Sequence, residues 1–514
     1  MRYSARNLVT GTLTRYVLLF ITIAIGVFMM PFTMHHLGTA QYGLWMLATS
    51  MTAYLQLLDL GYGNGLVRQV TQADAQGRED EVNVILSTFF VVYSLLGAVA
   101  LAAVVALLFF VLPRFPNLSP EQVRTAQWVL AIVGFRAAVA FPMGVFGAVT
   151  TARQRFALNG SIAIVVAVLQ GASTYVVLSA GYGLITLVSA TTGIGLASYV
   201  AYAIAARATF PGMRLSPSRF STQQVREVTA FSLYLFLISI AIHVAINVDN
   251  VIIGAKLGTA SIAVYAVAVR LADYQRQLCG QFSGFLFPLV VRFDASQNAD
   301  ALRATLLDGT RIALGLVTGV TLCLLAFGRQ IVALWMGPGF AESIAPLYVL
   351  VLAGVVMVAQ GPAGTILLAT GRQRLVAGAS VLDILLNIGL SLALVSRYGL
   401  MGVALGTALP YVVLNLGVLV PTACGTLKVT LSTFVDAVVK PSLIAVLPAA
   451  ALAIFLRVTT MPTSFAMVIG QSALVGLVYV AVFCAFGLGP VDRARYVGSV
   501  RRGAFSRTPP VAAH

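Results

Sequence analysis

Polar residues are sparse along this chain and gather in short clusters that separate long apolar runs. The runs cover residues 13–35, 41–62, 83–112, 127–149, 158–179, 183–206, 229–255, 260–290, 310–328, 344–369, 376–396, 400–422, 434–456 and 464–488. About 20 apolar residues cross the hydrocarbon core of a bilayer as a helix. The pattern therefore predicts an all-α integral membrane protein with fourteen transmembrane helices. Composition removes the soluble alternative. Of the 514 residues, 59% are hydrophobic and only 9% are charged, against roughly 25% charged in a typical soluble protein.

A net charge of +16 would suggest a nucleic-acid partner in a soluble chain. Here the basic residues sit in short loops and a tail, so topology explains them better. With both termini cytoplasmic, 23 of the 32 Lys and Arg residues fall in inside segments and 6 in outside loops, as the positive-inside rule requires. The other three, Arg136, Arg270 and Arg276, lie within spans. Arg2, Arg6 and Arg15 precede the first run without a convincing cleavage site, so that run is expected to stay as the first span. Cys279, Cys323, Cys424 and Cys484 stand singly in or beside apolar stretches and read as small core residues.

The chain also repeats itself. Leu37-Gly38-Thr39-Ala40 recurs as Leu257-Gly258-Thr259-Ala260, and Asp74-Ala75 as Asp294-Ala295. Thr151 with Arg153-Gln154-Arg155 returns as Thr370 with Arg372-Gln373-Arg374, and Tyr182-Gly183-Leu184 as Tyr398-Gly399-Leu400. The offsets stay near 220 residues and the order is kept. The expected organisation is an N-lobe of six spans (1–206), a linker (207–228), a C-lobe of six spans (229–423), two further spans (424–490) and a basic cytoplasmic tail (491–514). Six is even, so the lobes share one orientation, as in transporters built from parallel repeats. Two such lobes are expected to face a central site that opens to either side. Ser221-x-x-Gln224 in the linker has the pattern of a capping box.

The stretches Leu37-Gly38-Thr39-Ala40-Gln41-Tyr42-Gly43-Leu44-Trp45 and Leu57-Leu58-Asp59-Leu60-Gly61-Tyr62-Gly63-Asn64-Gly65-Leu66-Val67-Arg68 resemble the polysaccharide-flippase branch of the multidrug/oligosaccharidyl-lipid/polysaccharide exporter superfamily. The six-plus-six-plus-two layout is similar too. The resemblance implies a flippase that moves an undecaprenyl-pyrophosphate-linked oligosaccharide from the cytoplasmic to the outer leaflet of a bacterial inner membrane, for cell-surface polysaccharide synthesis. Expected partners are membrane lipid, the polyprenyl-pyrophosphate-linked glycan, a polysaccharide polymerase and glycosyltransferases; nucleic acid is not expected. The resemblance also places the first two spans of each lobe around the central cavity.

Ionisable groups inside spans are costly and usually face a partner or a wet cavity. Span eight carries Arg270, Asp273 and Arg276 along a strip about halfway across; the repeat-equivalent residues in span two, Ser50, Ala53 and Gln56, are uncharged. Span seven carries the polar stripe Ser239, His243, Asn247, Asn250 and Gly254, and the equivalents of His243, Asn247 and Asn250 are Ile23, Val27 and Met30. Asp249 lies about 120° from that stripe and is not expected to share its surface. Under the resemblance, Arg270, Arg276 and Arg136 bind the pyrophosphate, since a guanidinium stays charged and grips phosphate oxygens in pairs. Asp273 balances the charge, and His243, Asn247 and Asn250 complete a polar wall. The competing reading makes Arg270-Asp273-Arg276 a structural ion-pair network.

Asp59 and Arg68 are a candidate inner gate, against the plainer reading of a boundary ion pair. Asp383 and Asn387 read as interhelical hydrogen-bond partners, and the two Arg-Gln-Arg turns as anchors to anionic lipid. No P-loop, metal-ligand cluster or nucleophile–base constellation occurs in the sequence, so neither an enzyme nor a cofactor is expected. Two other functions stay open: a cation-coupled multidrug exporter of the same superfamily, and a non-transporting scaffold for envelope assembly.

Overall fold

The computed structural model describes residues 5–487, without the side chains of 5–13, 230–243, 245–246, 281–285 and 288. The tail 491–514 and the side chain of His243 thus lie outside the described residues. The helices are α1 (Ala5–Ala53), α2 (Tyr62–Ala75), α3 (Glu79–Ala106), α4 (Pro120–Ala152), α5 (Phe156–Ser179), α6 (Leu184–Thr209), α7 (Thr222–Leu257) and α8 (Thr259–Ala295). They continue with α9 (Ala299–Met336), α10 (Ile344–Ala359), α11 (Gly361–Ala369), α12 (Gln373–Leu414), α13 (Val420–Thr426), α14 (Leu431–Phe434), α15 (Lys440–Thr459) and α16 (Phe465–Val482). Among the described residues there is no strand. Among the described residues, ten helical stretches are long and apolar enough to cross a membrane.

Two of these stretches are too long for one crossing. Thr14–Asp59 has 46 residues and Gln373–Thr426 has 54, or about 70 and 80 Å at 1.5 Å per residue. The hydrocarbon core is about 30 Å thick. Each stretch contains a glycine that leaves helical geometry, Gly38 at φ 77° and Gly399 at φ 56°.

The backbone repeats as the sequence does. Left-handed corners occur at Gly38 and Gly258, Gly77 and Gln297, Asn117 and Gly337, Gln154 and Gly371, and Gly181 and Gly399. The partners are separated by 220, 220, 220, 217 and 218 residues. Helices often end on a residue in this conformation, which glycine adopts without cost and Asn tolerates. A further pair of left-handed residues, Leu60 (φ 52°, ψ 18°) and Gly61 (φ 77°, ψ 9°), ends the 3-10 segment Tyr54–Asp59 and starts α2. It has no counterpart: the positions 220 residues on, Gly280 and Gln281, lie inside α8. The sequence pattern gave no helix over 62–75. α2 forms because Tyr62, Leu66, Val70 and Ala73 recur on one face and bury it.

The described residues fall into two compact units. One holds the residues through Val267 together with Gln373–Pro410; the other holds Ala268–Arg372 together with the residues from Tyr411 on. The division runs through α8 and α12 rather than through the linker.

In the first unit, Leu66, Val70, Ile85, Phe89, Tyr93, Val145 and Val149 form a core shared by α2, α3 and α4. The linker is strapped to α3. Asn83 donates to the Gly212 carbonyl (3.1 Å) and accepts from the Arg214 N–H (2.7 Å). Ser87 donates to the Arg214 carbonyl (3.3 Å) and accepts from the Ser216 N–H (3.1 Å). Buried polar side chains on α3 thereby satisfy a backbone that has no ladder of its own.

α7 starts after Ser221 as expected, but the Ser221 side chain makes no cap. Its backbone N–H donates to Thr88 instead (3.0 Å). The capping box belongs to α4, between Ser119 and Gln122. Arg153 faces protein rather than lipid. It pairs with Asp74 (2.7 Å), donates to the Thr209 carbonyl (2.7 Å) and lies over the Phe210 ring (4.4 Å), tying the ends of α2, α4 and α6 together.

In the second unit, α9 packs against α15 and α16 through Phe327, Ala445, Ala449, Ala453, Val475 and Tyr479. The alanines recur every fourth residue and form a small-residue stripe that lets membrane helices approach closely.

Candidate functional site

Four groups of polar side chains stand out, and each lies within one unit. The first is the α8 strip in the second unit. Arg276 donates to Asp273, one turn back, and also approaches the Met357 sulfur at 3.7 Å. The expected charge balance exists, but Asp273 pairs with Arg276. Arg270 is half-buried, and among the described residues it has no hydrogen bond or ion pair.

The neighbouring face of α8 is fixed. Gln275 is buried and donates to Thr321 (2.5 Å) and to the Val351 carbonyl (3.0 Å), and its amide presses against Gly354. Any Cβ at Gly354 would strike it.

The second group is on α7 in the first unit. Asn250 donates to Ser50 on α1 (2.9 Å), so the polar stripe faces the second half of α1 there. Asn247 is half-buried and has a partner of its own. Asp249 points elsewhere, as its angle requires, but it is far from idle. It is 6% exposed and accepts from Tyr265 on α8 (2.8 Å) and Thr407 on α12 (2.9 and 3.1 Å). Among the described residues no cation pairs with it. A buried carboxyl without a cation is costly in a membrane helix and marks function by default. The sequence reading set this residue aside.

Third, Arg136 on α4 is half-buried, with its guanidinium against Gly195 on α6. The missing side chain at Gly195 makes the room it occupies. Arg136 lies in the first unit, and Arg270 and Arg276 lie in the second.

The fourth group surrounds Asp59. Its carboxylate accepts from the Tyr93 hydroxyl (2.7 Å) and from the Gly63 N–H (3.3 Å) in the first turn of α2. Arg68 is exposed on α2. Asp59 and Tyr93 line a cleft of about 490 Å3 between the Tyr54–Asp59 segment, α2, α3 and α4, a volume typical of a small-molecule site. The sequence signal for it was the Asp-Leu-Gly run itself.

Asp383 and Asn387 each leave one buried side-chain oxygen without a hydrogen-bond partner among the described residues. No group of three or more His, Cys, Asp or Glu side chains that could hold a metal ion occurs among the described residues.

Ten helical stretches among the described residues that are long and apolar enough to cross a membrane mark a multi-pass membrane protein. Residues 8–294, more than half of the chain, match the family model described as polysaccharide biosynthesis protein. The chain belongs to that family.

It is 24% identical over 195 residues to a probable low-salt glycan biosynthesis flippase, Agl15, of Haloferax volcanii. That match covers 38% of this chain and 41% of the relative's length. Among solved structures, the chain resembles the lipid II flippase MurJ in an inward closed conformation, with a TM-score of 0.69 at 15% identity. The likeness covers 92% of this chain and 98% of that one. An inward-facing multidrug resistance MATE family transporter gives 0.61 at 15% identity, over 80% of this chain and 95% of that one. At such identities the likeness is one of fold.

Proposed function

We propose that this chain flips an undecaprenyl-pyrophosphate-linked oligosaccharide from the cytoplasmic to the outer leaflet of a bacterial inner membrane, by alternating access of two duplicated lobes. Fourteen crossings follow if Thr14–Asp59 and Gln373–Thr426 each count twice and α7 and α8 once each beside the other eight stretches. Both termini are then cytoplasmic, and the polymerase and glycosyltransferases of the same surface glycan are the natural partners.

The observation that carries this reading is Arg270. Among the described residues its guanidinium has no ion pair, and on a helix read as membrane-spanning such a cation suits an anion that arrives and leaves. Arg276 is held by an i, i+3 pair that is itself a quarter to a third exposed and by an approach to the Met357 sulfur. Such pairs are weak, so a phosphate oxygen can replace Asp273. Arg136 offers a third cation, and Asn247, Asn250 and His243 complete the polar wall. Asp59 and Arg68 fit a gate at the inner end of span two. Asp249 supplies a group that a proton or a cation neutralises during the cycle, the element a coupled transporter needs.

The test is replacement of Arg270 by Ala in cells that depend on this chain for surface glycan. Folded, inserted protein with lost glycan and accumulated lipid-linked precursor on the inner leaflet is the expected result. Normal glycan rejects the phosphate role. The fold and Asp249 also fit a cation-coupled multidrug exporter; deletion that leaves glycan intact and sensitises cells to drugs would favour that function.

A further inference from the structure

Asp59 stands where the chain does something its own repeat does not. Leu60 is a bulky residue in left-handed backbone, a rare and strained placement. The break at Leu60 and Gly61 starts α2 directly below Asp59, so that the Gly63 N–H reaches the carboxylate. In the second copy, Cys279 takes the place of Asp59 and α8 runs through without a break. The strain is therefore confined to the copy that holds the cleft.

The cleft has a definite chemistry. Its polar lining comes from Gln56, Asp59, Asn64, Tyr93 and Thr151, with one acid and no base. A pyrophosphate group would be repelled there. Both Asp59 oxygens already accept one donor, from Tyr93 and from Gly63, which fixes the plane of the carboxylate. Each oxygen keeps acceptor capacity, so the carboxylate can take two hydroxyls side by side. The remaining lining is carboxamide and hydroxyl rather than further acids or an aromatic cage, which a cation would call for.

The floor is open: a Cβ added at Gly144 or Gly147 meets nothing within 4 Å. Both glycines line the cleft, as does Phe141, which offers an apolar wall.

We infer that this cleft is a carbohydrate subsite, in which Asp59 accepts hydroxyls of a sugar ring of the cargo while Gln56 and Asn64 read the neighbouring positions. The inference rests on the proposed function and deepens it, separating the glycan contact from the phosphate contact.

The test uses the full chain in lipid nanodiscs and three probes: a panel of methyl hexosides and methyl N-acetylhexosaminides, inorganic pyrophosphate, and the lipophilic cation rhodamine 6G. Saturation-transfer NMR reads the glycosides, and competition titrations read the other two. At least one glycoside should bind. Asp59→Asn should weaken it about tenfold, as expected for loss of charge-assisted hydrogen bonds. Gly144→Leu should block it.

The second variant guards against misfolding, because glycine costs about 1 kcal/mol in a helix interior relative to a good helix former, and a Cβ at this position meets nothing within 4 Å. Pyrophosphate binding should be unchanged in both variants. Glycoside binding that survives Gly144→Leu, or its absence in the unaltered protein, overturns the subsite. Rhodamine 6G lost in Gly144→Leu while glycosides never bind overturns it in favour of a cation site. Glycoside binding that behaves as expected beside no pyrophosphate binding upholds the subsite and removes the arginine assignment instead.

Discussion

Asp249 gives the sharpest separation between a structural and a transport role. The carboxyl is 6% exposed and holds two donors, the hydroxyls of Tyr265 and Thr407. Asp249→Asn keeps an oxygen in the same place, so both donors keep an acceptor. It replaces the oxygen that takes only the longer Thr407 contact (3.1 Å) by an amide NH2 and removes the capacity for negative charge, which in a buried site without a cation opposes folding. Stability should stay level or rise. Asp249→Ala removes the acceptor that the Tyr265 and Thr407 hydroxyls share, at a place where Tyr265 is 1% exposed. An unsatisfied buried donor costs about 1–3 kcal/mol, so this variant should melt measurably lower.

Transport should follow a different order. If neutralisation of Asp249 is part of the cycle, Asn and Ala should both abolish surface glycan although their stabilities differ. The assay pairs thermal unfolding of the purified variants with glycan on cells at matched protein level. A stable Asp249→Asn chain that restores full glycan would refute the argument and leave Asp249 a hydrogen-bond hub between α7, α8 and α12.

Other expectations follow from the same geometry. Arg270→Lys should transport far less than the unaltered chain despite keeping the charge, because an ammonium cannot present the paired donors of guanidinium; glycan at wild-type level would argue for a simple field effect. Arg276→Ala should cost less than Arg270→Ala, since Arg276 already shares its charge with Asp273, and quantified precursor accumulation in the two strains checks the order. Asn83→Ala removes two hydrogen bonds to the linker backbone and leaves the Gly212 carbonyl and the Arg214 N–H unpaired. A loss on the order of 2 kcal/mol or more should expose the strap to trypsin after Arg214 and Arg219, seen as two fragments on a gel; unchanged cleavage would mean that Ser87 and Thr88 hold the strap alone.

What the sequence made legible depends on how local each cause is. Apolar runs and their near-220 offset are properties of the chain alone, and both reappear, the second as five matched left-handed corners. The angle that takes Asp249 off the span-seven stripe was also legible. Its importance was not, because Tyr265 and Thr407 lie 16 and 158 residues away. Span eight shows a finer limit: Asp273 is three residues from both Arg270 and Arg276, and spacing cannot choose between them. The structure shows the pair with Arg276. The linker carries Pro and Gly and reads as a tether, yet Asn83, Ser87 and Thr88 on a distant helix make it a strap.

The candidate chemistry itself sits where the two copies of the repeat stop agreeing. A duplicated bundle needs its corners in both halves, and the paired glycines and their Asn and Gln substitutes supply them. No packing rule demands that one copy break span two at Leu60 while the other runs straight through Gly280. Nor does any demand Arg270 and Arg276 where the first copy has Ser50 and Gln56. Each departure costs stability, through left-handed backbone in one copy and charge at membrane depth in the other. The two costs fall on different copies and on opposite chemistries, an acid in a polar cleft and guanidinium on an apolar helix. A cargo that is sugar at one end and pyrophosphate at the other calls for that division: restoring either copy to its partner's residues should remove one of the two contacts and spare the other.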